Sequence, residues 1–583
     1  MKSILLGHEK DAKREVRIPK NAFSTHFHLI GGTGKGKTTA IHTLLRPLLR
    51  DPSDRSCAII IDRLGNLSDE LLLWMASEEF CTDDVRERLV YIQPSREDMV
   101  LPMNPLMYET PAHGYYKVER ATEIVLRAWE SVNIEAMPRL ARWTFNAFWA
   151  AAQLDLTIAD CSHLLMPGSN YHKELLDVLP PALQAEWREI SNPRSSQEAT
   201  RILDSSRNRL KPYFESDILR RMFGTTQHRF NAEQFMREGK IVIVDLSPRN
   251  RLASQLGNTI GALILNEVIA TARNLPRGTR YPTYVLLDEF QNFVGPDIES
   301  ALPEVRQLGL KLLLSHQSFS QLKRGDYDLT SMIFQAQSRM AFGIQGEDAD
   351  FLANEFASIM YDSRRIKEEI YTRRQLNAGH RIVELTSWSD AESEARNWNE
   401  TYGKNWSRNT STIQPPRSVL PTESTGGGTG TNESEGRGRS AGRTLTRGSH
   451  QTLVPEHEEF LELASRTYES FDEQKSEWAK KIRNLATGEC ILRLVDEPSL
   501  KHVKVRRSAP GYLKYDMTQI HRHFPEVIDN MNRLIEDNFA SDLFVPASVI
   551  DRESEQRLQN ALRPKITVQP NTSSVDGPKD PFV

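Results

Sequence analysis

His26-Phe-His-Leu-Ile30-Gly31-Gly-Thr-Gly-Lys-Gly36-Lys37-Thr38-Thr39 opens as a short apolar run, passes through a glycine-rich turn and continues into the helical spacing of Ile41, Leu44 and Leu45. A strand that enters such a turn and leaves as a helix fits the pattern GxxxxGK[ST] in full, in the context that gives the pattern meaning. The glycines let successive backbone N–H groups curl around phosphate oxygens, and the start of the helix adds favourable positive partial charge. Gly31, Gly32, Thr33, Gly34, Lys35, Gly36, Lys37, Thr38 and Thr39 are the expected nucleotide-binding set. Lys37 is expected to bridge the β- and γ-phosphates, and the Thr38 hydroxyl to ligate Mg²⁺. Lys35 adds a cation whose reading stays open between phosphate, a neighbouring subunit and solvent.

Outward from this loop, Cys57-Ala-Ile-Ile-Ile-Asp62, Leu89-Val-Tyr-Ile-Gln93, Ile241-Val-Ile-Val-Asp245, Tyr284-Val-Leu-Leu-Asp288 and Lys311-Leu-Leu-Leu-Ser315 are apolar runs. Bounded by polar turns, they read as strands of a parallel sheet covered on both faces. Three end in aspartate, yet only Asp288 is followed by a second carboxylate, Glu289. Hydrolysis needs one carboxylate toward the hydrated metal and another to polarise the attacking water. Asp288 is therefore assigned to the metal and Glu289 to the general base, while Asp62 and Asp245 read as caps of strand-to-loop turns. The strand after Lys311 runs into His316-Gln317. Gln317, at a strand tip beside Asp288, is the candidate to sense the γ-phosphate and place the water; His316 reads as a packing or turn residue.

The 583 residues are 39% hydrophobic and 26% charged, with a net charge of −4. That is ample material for a large core, and it excludes a protein coated in positive charge, so any nucleic-acid contact must be local. No apolar run approaches the roughly 18–20 residues of a membrane span. The run after Met1 is too short for a signal peptide, so a cytoplasmic protein without an integral membrane segment is expected. Cys57, Cys81, Cys161 and Cys490 form no CxxC pair and read as reduced core thiols. The expected organisation is a first core part over 1–111, a helical insertion over 112–230 and a second core part over 231–365. A polar, largely disordered Gly/Ser/Thr-rich insert over 366–455 follows. Order is expected to resume with a helical pattern near His457, then two strands completing the core sheet within 456–512, and a helical segment with a disordered tail over 513–583.

Several of these segments together resemble the HerA/FtsK superfamily of hexameric DNA-pumping ATPases, and within it the TraG/TraD-type conjugative coupling ATPases. The residues that carry the resemblance are His28 to Thr38, Ile61-Asp-Arg-Leu-Gly-Asn-Leu67, Met103-Asn-Pro-Leu106, Val285 to Phe290 and Leu314-Ser-His-Gln-Ser318. Asn66 stands where that family's turn ends in an acid. The resemblance implies an α/β RecA-like P-loop fold, ATP and Mg²⁺ as ligands, and a ring, expected to be a hexamer, that moves duplex DNA without regard to sequence. It also implies a helical insertion before the Mg²⁺ strand, a glutamine at the next strand tip, and a trans-acting arginine between them. Arg306 is that arginine, with Arg339 as rival. A relaxase or nuclease is the implied partner. Coupling proteins often begin with membrane helices, and this chain opens on the core, which favours a mobilisation, repair or defence translocase.

Asp288-Glu-Phe-Gln291 also resembles a segment of superfamily 1 helicases, and an ATP-dependent assembly or secretion ATPase acting on protein is a third reading. The sequence points to two basic clusters for DNA: Arg201, Arg207, Arg209, Lys211, Arg220 and Arg221, and then Arg437, Arg439, Arg443 and Arg447. Trp388, Trp398 and Trp406 are candidates to stack on bases or pack at the core's edge.

Overall fold

The computed structural model describes residues 3–127, 137–167, 169–188, 190, 196–248, 252–294, 305–324, 327–394, 441–507 and 510–562. The strands are β1 (Ser3–Glu9), β2 (Glu15–Pro19), β3 (Phe27–Ile30), β4 (Cys57–Asp62), β5 (Leu89–Ile92), β6 (Met99–Val100), β7 (Ile241–Asp245), β8 (Thr283–Asp288) and β9 (Leu310–His316). They continue with β10 (Lys323–Arg324), β11 (Tyr327–Asp328), β12 (Ser338–Phe342), β13 (Ile366–Glu394), β14 (Ala441–Tyr468), β15 (Glu489–Arg493), β16 (Lys501–Val505) and β17 (Val545–Pro546).

Eleven strands form one sheet in the order β2-β1-β16-β15-β12-β3-β9-β8-β4-β7-β5. The seven from β12 to β5 are parallel, and their apolar runs are buried along almost their whole length, as strands covered by helices on both faces must be. The other four join antiparallel at one edge, so β1 pairs with β16 across nearly the full length of the chain. β9 lies between β3 and β8, which puts its tip between the glycine loop and Asp288. This is the RecA-like P-loop arrangement.

Between β5 and β7 the chain is mostly helical, with helices at Pro111–Arg127, Pro138–Gln153, Asn170–Asp177, Pro181–Arg188, Ser196–Glu215 and Asp217–Phe223. Trp143 and Trp187 pack edge to face at 5.3 Å between centroids. The helix Pro525–Phe539 holds the edge of the sheet, where Asn538 Oδ1 accepts from Tyr91 N of β5 at 2.8 Å, and the helix Ala547–Ala561 holds the helical layer. Arg557 Nε donates to the buried Asp160 carboxylate at 2.8 Å, Arg221 forks onto Asp551 at 2.8 and 3.0 Å, and β17 pairs with β6. Arg220 and Arg221 are thus paired with Asp217 and Asp551, which offsets part of the positive charge the sequence places there. Among the described residues no helix is long and apolar enough to cross a membrane. All four cysteines are buried and unbridged.

Residues 395–440, which hold most of the expected Gly/Ser/Thr-rich insert together with Trp398, Trp406, Arg437 and Arg439, lie outside the described residues, as does the tail from 563. The flanking segments differ from expectation. β13 and β14, read as insert and then as a helix near His457, pair antiparallel from Ile366↔Tyr468 to Glu394↔Ala441, a unit of their own over Arg364–Glu469. A backbone ladder joins the two strands, and oppositely charged side chains face each other along it. Arg374 meets Glu462 at 2.6 Å, Arg466 meets Glu369 at 2.8 Å, and Arg373 meets Glu459 at 3.7 Å. A search for large apolar side chains passes over such pairing. Trp388 is 69% exposed on this ribbon, with the Arg447 guanidinium 5.2 Å from its ring centre. A helix, Phe471–Arg483, starts only after a Ser470/Glu473 capping box.

Candidate active site

The loop after β3 is held open from two sides. Gly32 N donates to Gly343 O at 3.0 Å beyond β12, and Gly488 N donates to Lys35 O at 2.9 Å ahead of β15. Gly36 has φ +106°, and a Cβ there would lie 3.0 Å from the Gly488 backbone, so both conformation and space require glycine. The helix Lys37–Arg50 starts at once, with no side chain capping its N-terminus. Its first N–H groups face the hollow of the loop, the geometry that receives phosphate. The Lys37 ammonium folds back onto the Gly31 carbonyl. Burial pulls its pKa below the ordinary lysine value, against the opposing pull of Glu289 and Asp288.

Asp288 sits half-buried at the tip of β8. Burial pushes its carboxyl up to about 7, and the nearby Asp62 and Glu289 carboxylates add to the rise. The Asp62 and Glu289 oxygens are taken up by hydrogen bonds and act on Asp288 through their charge, so with Lys37 as the near cation Asp288 is the carboxylate that fits a divalent ion. Among the described residues no group of three or more His, Cys, Asp or Glu forms a metal cage. Such an ion would rest on one or two protein oxygens and on phosphate, as Mg²⁺ in phosphate sites does.

Glu289 has a left-handed backbone, φ +54°, and is 4% exposed. A non-glycine residue in this region is strained, and here the turn aims the carboxylate across the strand tips. Gln317 Nε2 donates to Glu289 Oε1 at 2.7 Å, and Thr33 Oγ1 of the loop donates to Gln317 Oε1 at 2.8 Å. On the other side Gln291 Nε2 donates to Glu289 Oε2 at 2.8 Å and to Gln321 Oε1 at 3.2 Å. A continuous hydrogen-bonded line therefore runs from the phosphate loop through Gln317 to the predicted base. Beside it opens a cleft of about 260 Å³, lined by Arg63, Glu289, Asn292, Gln317, Gln321 and Lys323.

The remaining predicted residues separate clearly. Asp62 accepts from Leu64 N, Gly65 N, Ser68 N and Ser68 Oγ at 2.7–3.0 Å, and Asp245 from Ser247 N at 3.0 Å and Tyr91 OH at 2.9 Å. Both cap turns. Arg339 is 1% exposed, paired with Glu355, and donates to His28 Nδ1 at 2.8 Å and Ile333 O at 3.2 Å. A guanidinium so committed is enclosed in its own subunit, whereas the other candidate, Arg306, is not enclosed. That residue is exposed and precedes β9, so the length of the strand, about 20 Å at 3.3 Å per residue, separates it from its own Gln317. Gln291 and Gln321 were not singled out from sequence as site residues. Gln321 had a readable signal, since Ser318-Phe-Ser-Gln321 is a capping box and closes as one.

Two family models match consecutive parts of the chain: "Helicase HerA, central domain" over residues 4–268, and "TraM recognition site of TraD and TraG" over residues 282–406. Over those residues the chain is of the HerA/FtsK type of ATPase, with a TraG/TraD-like second part. No curated protein matches it. Solved structures similar to this HerA/FtsK-type chain include the bacterial conjugative coupling protein TrwBdeltaN70 in an unbound form, with 15% identity, a TM-score of 0.46, 87% of this chain covered and 89% of that one. Plasmid coupling protein TrwB in complex with ADP and Mg²⁺ has 14% identity, a TM-score of 0.46, and coverage of 87% and 95%. TrwB with a non-hydrolysable ATP analogue has 14% identity, a TM-score of 0.45 and the same coverage.

Proposed function

We propose that the protein is an ATP-driven DNA translocase acting as a ring of six, in conjugative transfer, mobilisation or a related DNA-processing or defence task. The observation that carries the hydrolytic part is the line Thr33–Gln317–Glu289–Gln291, which joins the phosphate loop to a buried carboxylate beside Asp288. Backbone N–H groups from Gly31 to Thr39 and the Lys37 ammonium bind the β- and γ-phosphates of ATP. Thr38 and Asp288 hold Mg²⁺, directly or through its water. When bound, Mg²⁺ neutralises charge on the phosphate oxygens. Glu289 takes the proton of the attacking water, and Gln317, touching both Thr33 and Glu289, orients that water toward the γ-phosphate. Binding of ATP competes for Thr33 and so draws on Gln317, which ties the base to the presence of a γ-phosphate.

DNA as cargo is supported by membership beside HerA and the TraD/TraG proteins, and a relaxosome-type partner by the match over 282–406. A ring is the arrangement in which the exposed Arg306 reaches an active site, that of the next subunit. Replacing Glu289 with Gln tests the core of the reading. Nucleotide affinity should stay near normal, while kcat falls by the roughly 10²–10⁴-fold that a general base contributes. Unchanged turnover would remove Glu289 from the mechanism.

A further inference from the structure

Beside the active site, four strands and a helix carry a largely buried polar chain that nothing in the hydrolytic line uses. Glu355, on the helix Gly346–Met360, pairs with Arg339 of β12 and with the partly exposed Arg493 of β15. Arg339 Nε donates to His28 Nδ1 of β3 at 2.8 Å. His28 Nε2 lies 2.7 Å from His316 Nε2 of β9, and His316 Nδ1 lies 3.1 Å from Ser318 O. Both imidazoles are fully buried, and Phe290 and Phe319 close on His316 edge to face at 5.5 and 5.4 Å.

The chemistry of the donors fixes every proton along this chain. An arginine N–H can only donate, so His28 Nδ1 carries the lone pair and His28 Nε2 the hydrogen. That hydrogen points at His316 Nε2, which must accept, so His316 carries its hydrogen on Nδ1 and gives it to the Ser318 carbonyl. Each ring is neutral, and the two hold opposite tautomers. Protonating either would set N–H against N–H or against a guanidinium, and burial already holds both pKa values below the ordinary histidine value, that of His316 at about 3. The chain ends on the turn that presents Gln317. Ser318 N and Gln317 N both point at Gln321 Oε1, which also receives Gln291.

We infer that His28 and His316 are positioning residues for hydrolysis: with Arg339 and Glu355 they lock the turn after β9 so that the Gln317 amide stays on Glu289. This rests on the ATPase reading above, and adds to it a device that acts through Gln317 without touching substrate. A packing residue would only need to fill the volume of a ring. A positioning residue must keep the hydrogen on Nδ1.

Two measurements test it. Long-range ¹H–¹⁵N spectra of histidine-labelled wild-type protein, assigned with His28→Asn and His316→Asn, should show one Nε2–H and one Nδ1–H neutral ring. An imidazolium, or two rings of the same tautomer, overturns the relay whether or not the protein hydrolyses ATP. In steady-state assays His316→Leu should lower kcat by about 10- to 100-fold, the scale of a small misplacement of a reacting group. KM for ATP should stay within about threefold, since the phosphate loop is intact. His316→Asn, whose Nδ2 replaces the ring Nδ1–H toward Ser318, should restore most of kcat. In a Gln317→Ala background His316→Leu should cost nothing more. Losses that multiply in the double variant, or a fully active His316→Leu, overturn the proposal. Absence of turnover in the wild type sinks the ATPase reading instead.

Discussion

Asp288→Asn should make the nucleotide-free protein more stable, and increasingly so as pH rises. The wild-type carboxyl is raised from 3.8 to about 7 by burial and by the charges of Asp62 and Glu289. A raised carboxyl contributes stability that is fully present below the unfolded pKa, near 4, and lost as pH climbs through the folded pKa, near 7. Three pKa units correspond to about 4 kcal/mol at 1.36 kcal/mol each. Asp288 is half-buried, and screening at the strand tip reduces this to about 2–4 kcal/mol. Asparagine has nearly the same volume and no charge, so it avoids the whole cost. The assay is denaturant or thermal unfolding of both proteins in EDTA, without nucleotide, at steps from pH 4.5 to 8. The gap in favour of the variant should widen across that range and level off above pH 7. Adding Mg²⁺ and ATP should then raise the wild type much more than the variant, because ligand that binds only the folded state stabilises it. A variant no more stable than wild type at pH 8, or a gap that ignores pH, would show that Asp288 is not held in a costly ionised state awaiting a cation.

Lys37→Ala should weaken ATP binding by roughly 10- to 100-fold, since a charge-assisted hydrogen bond contributes about 1.5–3 kcal/mol; equilibrium titration with a fluorescent ATP analogue measures it. Mixing Arg306→Ala with Glu289→Gln protein should recover part of the ATPase activity, because mixed rings contain interfaces where an intact Arg306 meets an intact Glu289. Flat activity at every mixing ratio, together with a monomeric mass in solution, would refute the ring. ATPase activity should rise with duplex DNA of any sequence, and the stimulation should fade steeply with added salt as neutralised phosphates release counterions. Indifference to both duplex and single-stranded DNA at low salt would shift the cargo to protein.

The loop from Gly31 to Thr39 and the tips of β8 and β9 were legible because each is a local pattern, an apolar run meeting glycine, paired acids or a polar tip. Gln317 was legible for the same reason, and β9 between β3 and β8 explains why that tip faces both. Arg339 stood as a rival to Arg306 in the sequence, since nothing local says that a guanidinium will be sealed against Glu355 and His28. His316 read as a packing or turn residue because its partner His28 is 288 residues away and on another strand. β13 and β14 escaped notice because their attraction lies between two runs, each of which is unremarkable alone.

The pairing of β1 with β16 has a consequence in time. Gly7 meets Val505, and β12 meets β15 at Met340↔Leu492. At roughly 5–20 residues per second of synthesis, β1 waits on the order of 25–100 s for its neighbour to be made. Throughout that wait the nascent chain carries two open strand edges, at β1 and at β12, beside an already formed parallel sheet, and open edges recruit other strands. The glycine loop waits too, because Gly488, which props it against Lys35, comes from the same late segment. Newborn molecules should therefore depend on chaperones more than their final stability suggests, and acquire nucleotide binding only in the last part of translation.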